Sequence, residues 1–358
     1  MSQSRAICLD TFAAEHAACN VRYNHDLLRH VARSMLFSKS KGICCERGEH
    51  LFSRSTLIYF SPVEWTGLYQ RPHQLAQVMN ESVRRLIFVQ PSGLRSIRMS
   101  DLPRVCSWLK TKYLRQRHSS DGAEMPYAPR AFSLSSPHFI PLNGIKAVDA
   151  INGIICFNAL KPYLQSESDQ PIILWVSAPF PYLPYLLNNF KNRTVFLVYD
   201  LIDEYALFHP TAERIFEVEN MLLQQADMIF ASSRRLKAKA LQYRSENKVA
   251  LFPNGVNPDH WKVDTKRPAS YSMNVARPII GYFGTISDWI DNELIFHLSQ
   301  KRPEWSFVFI GPITRSKQTE LLFSIPNIHF WGPQAYSQLP LLAVGFDVCW
   351  VPFQVSSM

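Results

Sequence analysis

"GYFGTISDW", residues Gly281–Trp289, decides the fold. An apolar run, "RPIIGYF", leads to Gly284, the hydroxyl residue Thr285 follows, and "IDNELIFHLS" then reads as the start of a helix. Strand, tight bend and helix form the repeating unit of parallel α/β sheets, and ligands of such sheets sit at the bends. The same unit recurs downstream. "WSFVFIGP", "NIHFWGP" and "FDVCWVPF" read as strands, with "SKQTELLFS" and "AYSQLPLLAVG" as the helices between them. Three strand ends therefore carry glycine bends: Gly281–Ser287, Gly311–Pro312 and Gly332–Pro333. Glycine lets a ligand approach the backbone, and a helix N-terminus offers free N–H groups to phosphate.

Upstream, a first series begins at Thr56. "TLIYFSP", "RRLIFVQP", "AFSLSSP", "PIILWVSAP", "TVFLVYD", "DMIFASS" and "KVALFPNG" are short apolar runs rich in β-branched and aromatic residues. "RPHQLAQVMNES", "GIKAVDAINGIICFNALKPYL" and "AERIFEVENMLLQQA" have helical spacing. Continuous apolar strands alternating with helices predict parallel sheets covered on both faces. "VNPDHWKVDTKRPASYSMNVARP" is polar and shows no element, which suits a linker. The expected organisation is an extension over 1–54, an acceptor-side domain over 55–255, a linker over 256–277 and a nucleotide-binding domain over 278–358.

The 358 residues suit two domains, and 47% apolar content supports sizeable cores. The formal charge of +9 is uneven. "LRSIRMSDLPRVCSWLKTKYLRQRH" carries Arg95, Arg98, Arg104, Lys110, Lys112, Arg115 and Arg117 against Asp101 alone. It reads either as a solvated face or as an attraction to anionic lipid headgroups, helped by Trp108 and Tyr113. Nucleic acid is disfavoured, because no zinc-finger spacing or aromatic RNA-binding motif occurs. The seven cysteines are odd in number and lack a CxxC pair, so reduced thiols are expected. Neither a signal-peptide pattern nor an apolar run of ~18 residues is found, which predicts a cytoplasmic protein, peripheral at most on the inner membrane face. No GxGxxG and no GxxxxGK[ST] is present, which disfavours a nicotinamide oxidoreductase or a P-loop ATPase.

"LFPNGVNPDHW", "IIGYFGTISDWID", "WSFVFIGP", "NIHFWGPQAYSQLP" and "GFDVCWVPF", in that order, resemble the donor-binding domain of GT-B glycosyltransferases near the family 4 retaining enzymes. "RPHQLA" and "YDLIDEY" resemble the subgroup that includes teichuronic acid biosynthesis glycosyltransferases. The resemblance covers roughly residues 56–353. It implies two facing Rossmann-like, doubly wound domains, the second incomplete. It implies transfer of a sugar, of hexosyltransferase class and with the retention of configuration typical of the family, from a nucleotide-diphosphate donor. The acceptor would be a glycan or a lipid-linked hydroxyl in surface polysaccharide assembly. On this resemblance Gly284 and Thr285 face the sugar diphosphate, Gly332 and Pro333 line the nucleobase, and Asn254 with Gly255 turns out of the first domain; the donor lies in the cleft between domains. Two departures stand out. The stretch after Gly284 has acids, Asp288, Asp291 and Glu293, where the family commonly has Arg and Lys; another cation, the helix dipole or a divalent metal ion would have to serve. The glutamate-bearing helix that follows the "PF" strand end in the family is not in the sequence. A non-catalytic remnant that binds nucleotide sugar weakly, or a basic membrane-surface scaffold, are the rival readings.

Among individual residues, Thr66, Gly67 and Leu68 fall in a bend, and Arg71, His73 and Gln74 at a helix start. Arg71 reads either as a guanidinium that grips phosphate or a carboxylated sugar, or as a plain surface ion pair. His73 reads either as a general base or as a satisfied surface group. Asp200 and Asp203 end a strand; each either caps the next turn or orients an acceptor hydroxyl, with Asp203 favoured by the subgroup resemblance. Trp289, Trp331 and Trp350 read as packing, and Cys349 as an inert thiol inside an apolar strand.

Overall fold

The computed structural model describes residues 52–90, 132–142, 145–164, 170–191, 193, 195–205, 212–263, 274–287, 289–314 and 317–355. The basic stretch Arg95–Arg117, five of the seven cysteines and Asp288 lie outside these residues. The described residues divide into two compact units, one running to Gly255 and one from Val256.

The first unit holds strands β1 (Thr56–Phe60), β2 (Arg85–Val89), β3 (Phe132–Ser135), β4 (Ile172–Val176), β5 (Val195–Leu201), β6 (Met228–Ala231) and β7 (Val249–Leu251). Its helices are α1 (Arg71–Asn80), α2 (Lys146–Leu164), α3 (Leu183–Asn188), α4 (Ala212–Gln225) and α5 (Arg234–Ala240). All seven strands are parallel, in the order β3-β2-β1-β4-β5-β6-β7. Successive residues of a strand point to opposite faces, so each central strand feeds two cores. Leu57 and Tyr59 of β1 join Leu75, Ala76 and Met79 of α1, with Phe88 and Trp175, on one face. Ile58 and Phe60 join Cys156 and Leu160 of α2 and Val218 and Leu222 of α4 on the other. That double demand is why β1 and β4 are apolar throughout. Phe52, assigned by sequence to the extension, is buried in the α1 layer.

The second unit contains α6 (Pro258–Trp261), β8 (Ile279–Phe283), α7 (Asn292–Lys301), β9 (Ser306–Ile310), α8 (Lys317–Leu322), β10 (Ile328–Gly332), α9 (Leu339–Ala343) and β11 (Val348–Cys349). Among the described residues its sheet has four parallel strands, ordered β10-β9-β8-β11.

Three short helices escaped the sequence pattern. α3 and α5 are too short to show a clear period. α6 lies in the stretch read as a featureless linker. Asn257 caps it by accepting a hydrogen bond from the Asp259 N–H at 3.0 Å, and Pro258 occupies its first turn. "NPD" was a legible start signal. β11 corrects a second expectation. "FDVCWVPF" pairs with β8 over only two residues, and Cys349 is exposed rather than enclosed. No helix among the described residues is long and apolar enough to cross a membrane.

Candidate functional site

Both sheets reverse their strand order beside their first strand. In the first unit the reversal falls between β1 and β4, and in the second between β8 and β11. Ligands of open parallel sheets bind beyond the carboxyl ends of strands at that reversal. The carboxyl end of β8 is the Phe283-Gly284-Thr285 bend, so the stretch that opened the reading occupies the reversal point of its sheet.

The three glycine bends of the second unit adjoin one another. The Gly284 N–H donates to the Ile310 carbonyl at 2.9 Å, and the Gly311 N–H donates to the Gly332 carbonyl at 2.9 Å. Gly311 has φ of +146°, and a Cβ there would lie 2.0 Å from the Gly284 carbonyl oxygen. Two backbones thus touch where any side chain would separate them. Gly332 has φ of +67°, in the left-handed region, and the space its missing side chain would fill is open. Gly281 has a different reason. The Phe346 ring occupies the position of its Cβ, at 2.1 Å, so Gly281 serves packing within β8.

These pairings change what the bend offers. The Gly284 and Ile286 amides are spent on Ile310 and Pro312, and the Thr314 N–H donates to the Ile286 carbonyl. Gly284 therefore contributes close approach rather than an N–H. Thr285 sits between two paired residues, with its carbonyl accepting from the Tyr282 hydroxyl at 3.1 Å. Among the described residues neither the amide nor the hydroxyl of Thr285 has a protein partner. The helix N-terminus expected to receive phosphate is occupied by the chain itself. Asp291 caps α7 by accepting from the Leu294 N–H at 2.9 Å, and Glu293 stands in the first turn. Two carboxylates there offset the positive end of the helix dipole. Among the described residues no three His, Cys, Asp or Glu side chains converge as metal ligands.

An aromatic cluster flanks the bends. Trp261 stacks on Phe283 with ring centroids 5.4 Å apart, and His260 stacks on Tyr336 at 3.9 Å. His260 Nε2 lies 3.1 Å from the Tyr336 carbonyl oxygen, which makes that nitrogen the donor. Partial burial pulls the His260 pKa below the ordinary imidazole value, outweighing the hydrogen bond to the Tyr336 carbonyl. Phe283 ends β8 and Tyr336 follows β10, so α6 is pinned beside the carboxyl edge of the sheet. His260, Trp261 and Tyr336 were not among the residues singled out from sequence. Pro333 is exposed beside Gly332, at the same edge.

In the first unit, Arg71, Asp200 and Asn254 come together. Arg71 Nη2 and Nε donate to Asp200 Oδ1 and Oδ2 at 2.7 and 3.2 Å, a two-point grip. Its Nη1 donates to the carbonyls of Phe252 and Pro253 at 3.0 and 3.1 Å and reaches Asn254 Oδ1 at 3.3 Å. The Asp200 side chain is fully buried and that of Arg71 is 10% exposed. Burial opposes the guanidinium charge, but the touching carboxylate more than offsets this and keeps Arg71 charged. Arg71 forms an ion pair, as one of its two readings expected, but a buried one rather than a surface one. It is a buried tie between the start of α1, the end of β5 and the segment leaving β7.

His73 is also buried, at 1% exposure. Its Nδ1 accepts from the Gln70 N–H at 3.1 Å, so Nε2 carries the proton and donates to the Glu64 and Trp65 carbonyls at 3.0 and 3.1 Å. Both nitrogens are engaged, and the residue anchors the loop between β1 and α1. Gly67 closes a turn in that loop, its N–H donating to the Glu64 carbonyl at 3.0 Å; Gln74 is half-buried on α1. Burial lowers the His73 pKa, outweighing its backbone hydrogen bonds. The folded state thus holds the neutral ring. Its contribution to stability is whole above the ordinary imidazole pKa of about 6.5 and is lost as pH falls through the lower, folded value. We expect His73→Ala to cost about 1–3 kcal/mol at neutral pH, because three backbone groups lose a partner. The loss of stability on acidification should be smaller in this variant than in the wild type, as read by urea unfolding at pH 7.5 and 5.

Asp203 stands apart from Asp200. It is exposed just past β5, while the surrounding protein raises its carboxyl above the usual range by desolvation. Nearby, the Ser177 hydroxyl donates to the Tyr59 hydroxyl at 2.9 Å, and the Tyr205 hydroxyl donates to the Ser177 carbonyl at 2.5 Å. These bonds brace the ends of β1, β4 and β5.

No family model matches the chain. It is 24% identical over 207 residues to TuaH of Bacillus subtilis (strain 168), a protein provisionally named as a teichuronic acid biosynthesis glycosyltransferase; the match covers 53% of this chain and 51% of TuaH. The chain thus spans about half the length of that curated relative. Among solved structures it is similar to Anabaena Alr3699/HepE in complex with UDP and glucose, with a TM-score of 0.53 at 15% identity, over 82% of this chain and 73% of that one. It is equally similar to sucrose-phosphate synthase of Thermosynechococcus elongatus, with a TM-score of 0.54 at 13% identity, over 84% of this chain and 77% of that one. Strand order, all-parallel pairing and these likenesses agree on one architecture: the chain has two parallel-sheet, Rossmann-like lobes of the GT-B type.

Proposed function

We propose that the chain uses a nucleotide-diphosphate sugar, with a UDP-sugar as the foremost candidate, and transfers the sugar to a hydroxyl of a glycan or lipid-linked acceptor. The observation that carries this reading is the stack of glycine bends at the reversal point of the second sheet, with open space at Gly332 and an aromatic flank. The likeness to a HepE structure holding UDP and glucose supports the choice of donor. In this reading the Thr285 amide and hydroxyl donate to a diphosphate oxygen. Gly284 and Gly311 keep that approach clear of side chains, and Gly332, Pro333 and Tyr336 border the base. On the first unit Asp203, with its raised carboxyl, orients the acceptor hydroxyl. The transfer breaks the bond between the anomeric carbon and the diphosphate oxygen and forms one to the acceptor oxygen. The acceptor attacks from the face that the diphosphate leaves, so the configuration is retained, and its proton passes to the departing diphosphate, so no strong protein base is needed.

Calorimetry with UDP, UDP-glucose and other nucleotide sugars tests the donor site. A Kd within about 1 μM to 1 mM is expected for the right donor. Thr285→Val should weaken it by about tenfold, the value of one hydrogen bond to a charged group. Binding that Thr285→Val leaves unchanged counts against this placement. One observation favours a second reading, a remnant that binds without turnover: Asp291 already occupies the end of the α7 dipole. Donor binding with no UDP release across an acceptor panel would select it.

A further inference from the structure

We infer that the indole of Trp289 is the platform on which the sugar ring of the donor stacks. This rests on the nucleotide-sugar reading and assigns the one part of that substrate which the reading leaves without a residue. Sequence reads Trp289, Trp331 and Trp350 as packing. Trp331 and Trp350 do pack, one against each core of the second sheet. Trp289, four residues after Thr285, is 44% exposed instead.

The exposed ring is nonetheless held. Burial raises the pKa of the Tyr282 hydroxyl, and a hydrogen bond from the Trp289 side chain opposes the rise. An indole nitrogen only donates, so the hydroxyl keeps its own proton for the Thr285 carbonyl, at 3.1 Å. A Cβ on Gly284 would stand 2.6 Å from the same hydroxyl, so this relay passes where only glycine leaves room. The main chain is tied as well. The Gln354 N–H donates to the Trp289 carbonyl at 2.9 Å, and the Asp291 N–H donates to the Pro352 carbonyl at 2.8 Å. An aromatic ring fixed at its polar edge and along its backbone, with a face left to solvent, is preorganised for a ligand.

Sheet order says which part of the ligand meets it. The strands run β10-β9-β8-β11. In the donor reading Gly332 and Pro333, at the end of β10, border the base, and Thr285, past the end of β8, meets the diphosphate. Trp289 is bonded to the segment leaving β11, on the far side of β8 from β10. A nucleotide sugar is linear, with the diphosphate between base and sugar. A molecule with its base at β10 and its phosphates at β8 therefore carries its sugar toward β11. A pyranose ring presents C–H bonds on its faces, and these meet the electron-rich face of an indole. Tyr282 and Phe283 point to opposite faces of β8, so Trp289 beside Tyr282 and Trp261 beside Phe283 serve different parts of the ligand.

Calorimetric titration of the full chain with UDP and with UDP-glucose, side by side, tests the assignment. Trp289→Ala should weaken UDP-glucose binding by about five- to tenfold and leave UDP binding unchanged. Trp289→Phe keeps an aromatic face but not the N–H, so its recovery of most of the loss separates stacking from bracing. Urea midpoints of both variants should match the wild type, because the side chain is exposed. If the Ala variant fails to fold, Trp289→Leu gives the same comparison. Equal weakening of UDP and UDP-glucose would overturn the inference and leave Trp289 as a brace of the Thr285 bend. Unchanged affinity for both ligands would overturn it too, and a raised acceptor KM would then move the ring to the acceptor. Failure of the wild type to bind either ligand would end the donor reading and this inference with it, a result distinct from UDP binding that Trp289 does not sharpen for the sugar.

Discussion

Asp200→Ala is expected to lower stability by about 3–5 kcal/mol, the usual effect of removing one partner of a buried ion pair. The Arg71 guanidinium would keep its carbonyl partners but lose the carboxylate that offsets its burial. Arg71→Lys should be nearly as damaging. One ammonium cannot hold both Asp200 oxygens and also the carbonyls of Phe252 and Pro253, because a lysine lacks the planar fork. Arg71→Met/Asp200→Leu, which removes both charges, should recover much of the loss. Urea unfolding of the wild type, Arg71→Met, Asp200→Leu and the double variant closes the cycle. A cost below about 1 kcal/mol for Asp200→Ala would mean that the pair behaves as an exposed one. Amide exchange at 249–254 adds a local readout. Those residues should open sooner in either single variant, because the clamp holds the carbonyls at the end of β7.

The second large effect belongs to Gly311→Ala. The glycine has φ of +146°, and the new Cβ would meet the Gly284 carbonyl oxygen at 2.0 Å and its carbon at 2.8 Å. Both are backbone atoms, so no rotamer change relieves the overlap. Either β8 and β9 part at their carboxyl ends, losing the hydrogen bond from Gly284 to Ile310, or the bend adopts another conformation. Backbone strain of this kind costs about 1–3 kcal/mol before any clash is counted, so a total of about 3 kcal/mol or more is expected. Gly332→Ala provides the contrast. It has φ of +67° with open space around the missing side chain, so only the left-handed penalty of about 1–2 kcal/mol applies. Thermal unfolding of the two variants should rank Gly311→Ala well below Gly332→Ala. Equal midpoints would show that the bends are not stacked as described. A fall in UDP-sugar affinity in Gly332→Val without matching loss of stability would tie the open space to the ligand.

Legibility differed between fold and site for definite reasons. "TLIYF" and "IILWV" announced doubly covered strands because a parallel strand must satisfy two cores, and that demand is written in consecutive residues. "FDVCWVPF" has the same composition but pairs over two residues only, since strand length depends on the neighbour as well as on the run. "NPD" signals the start of α6, but the polar surroundings give that stretch the look of a linker. Among the site residues, the glycine bends were legible as bends, but their mutual contact was not. Asp291 was noted as an acid near phosphate, and its capping bond to Leu294 was visible only in the helix geometry.

By itself the sequence determined two successive parallel α/β sheets, the order of their strands along the chain and the bends at their carboxyl ends. Those properties follow from apolar periodicity and turn chemistry within a few residues. Tertiary structure alone decided that Arg71 is tied to Asp200 and the β7 exit, that His73 is enclosed, that Gly311 rests on Gly284, and that Trp261 and His260 stand beside the bends. Each of these joins positions far apart in the chain, and local sequence sets which side chains are available without setting which of them the folded sheet brings into contact.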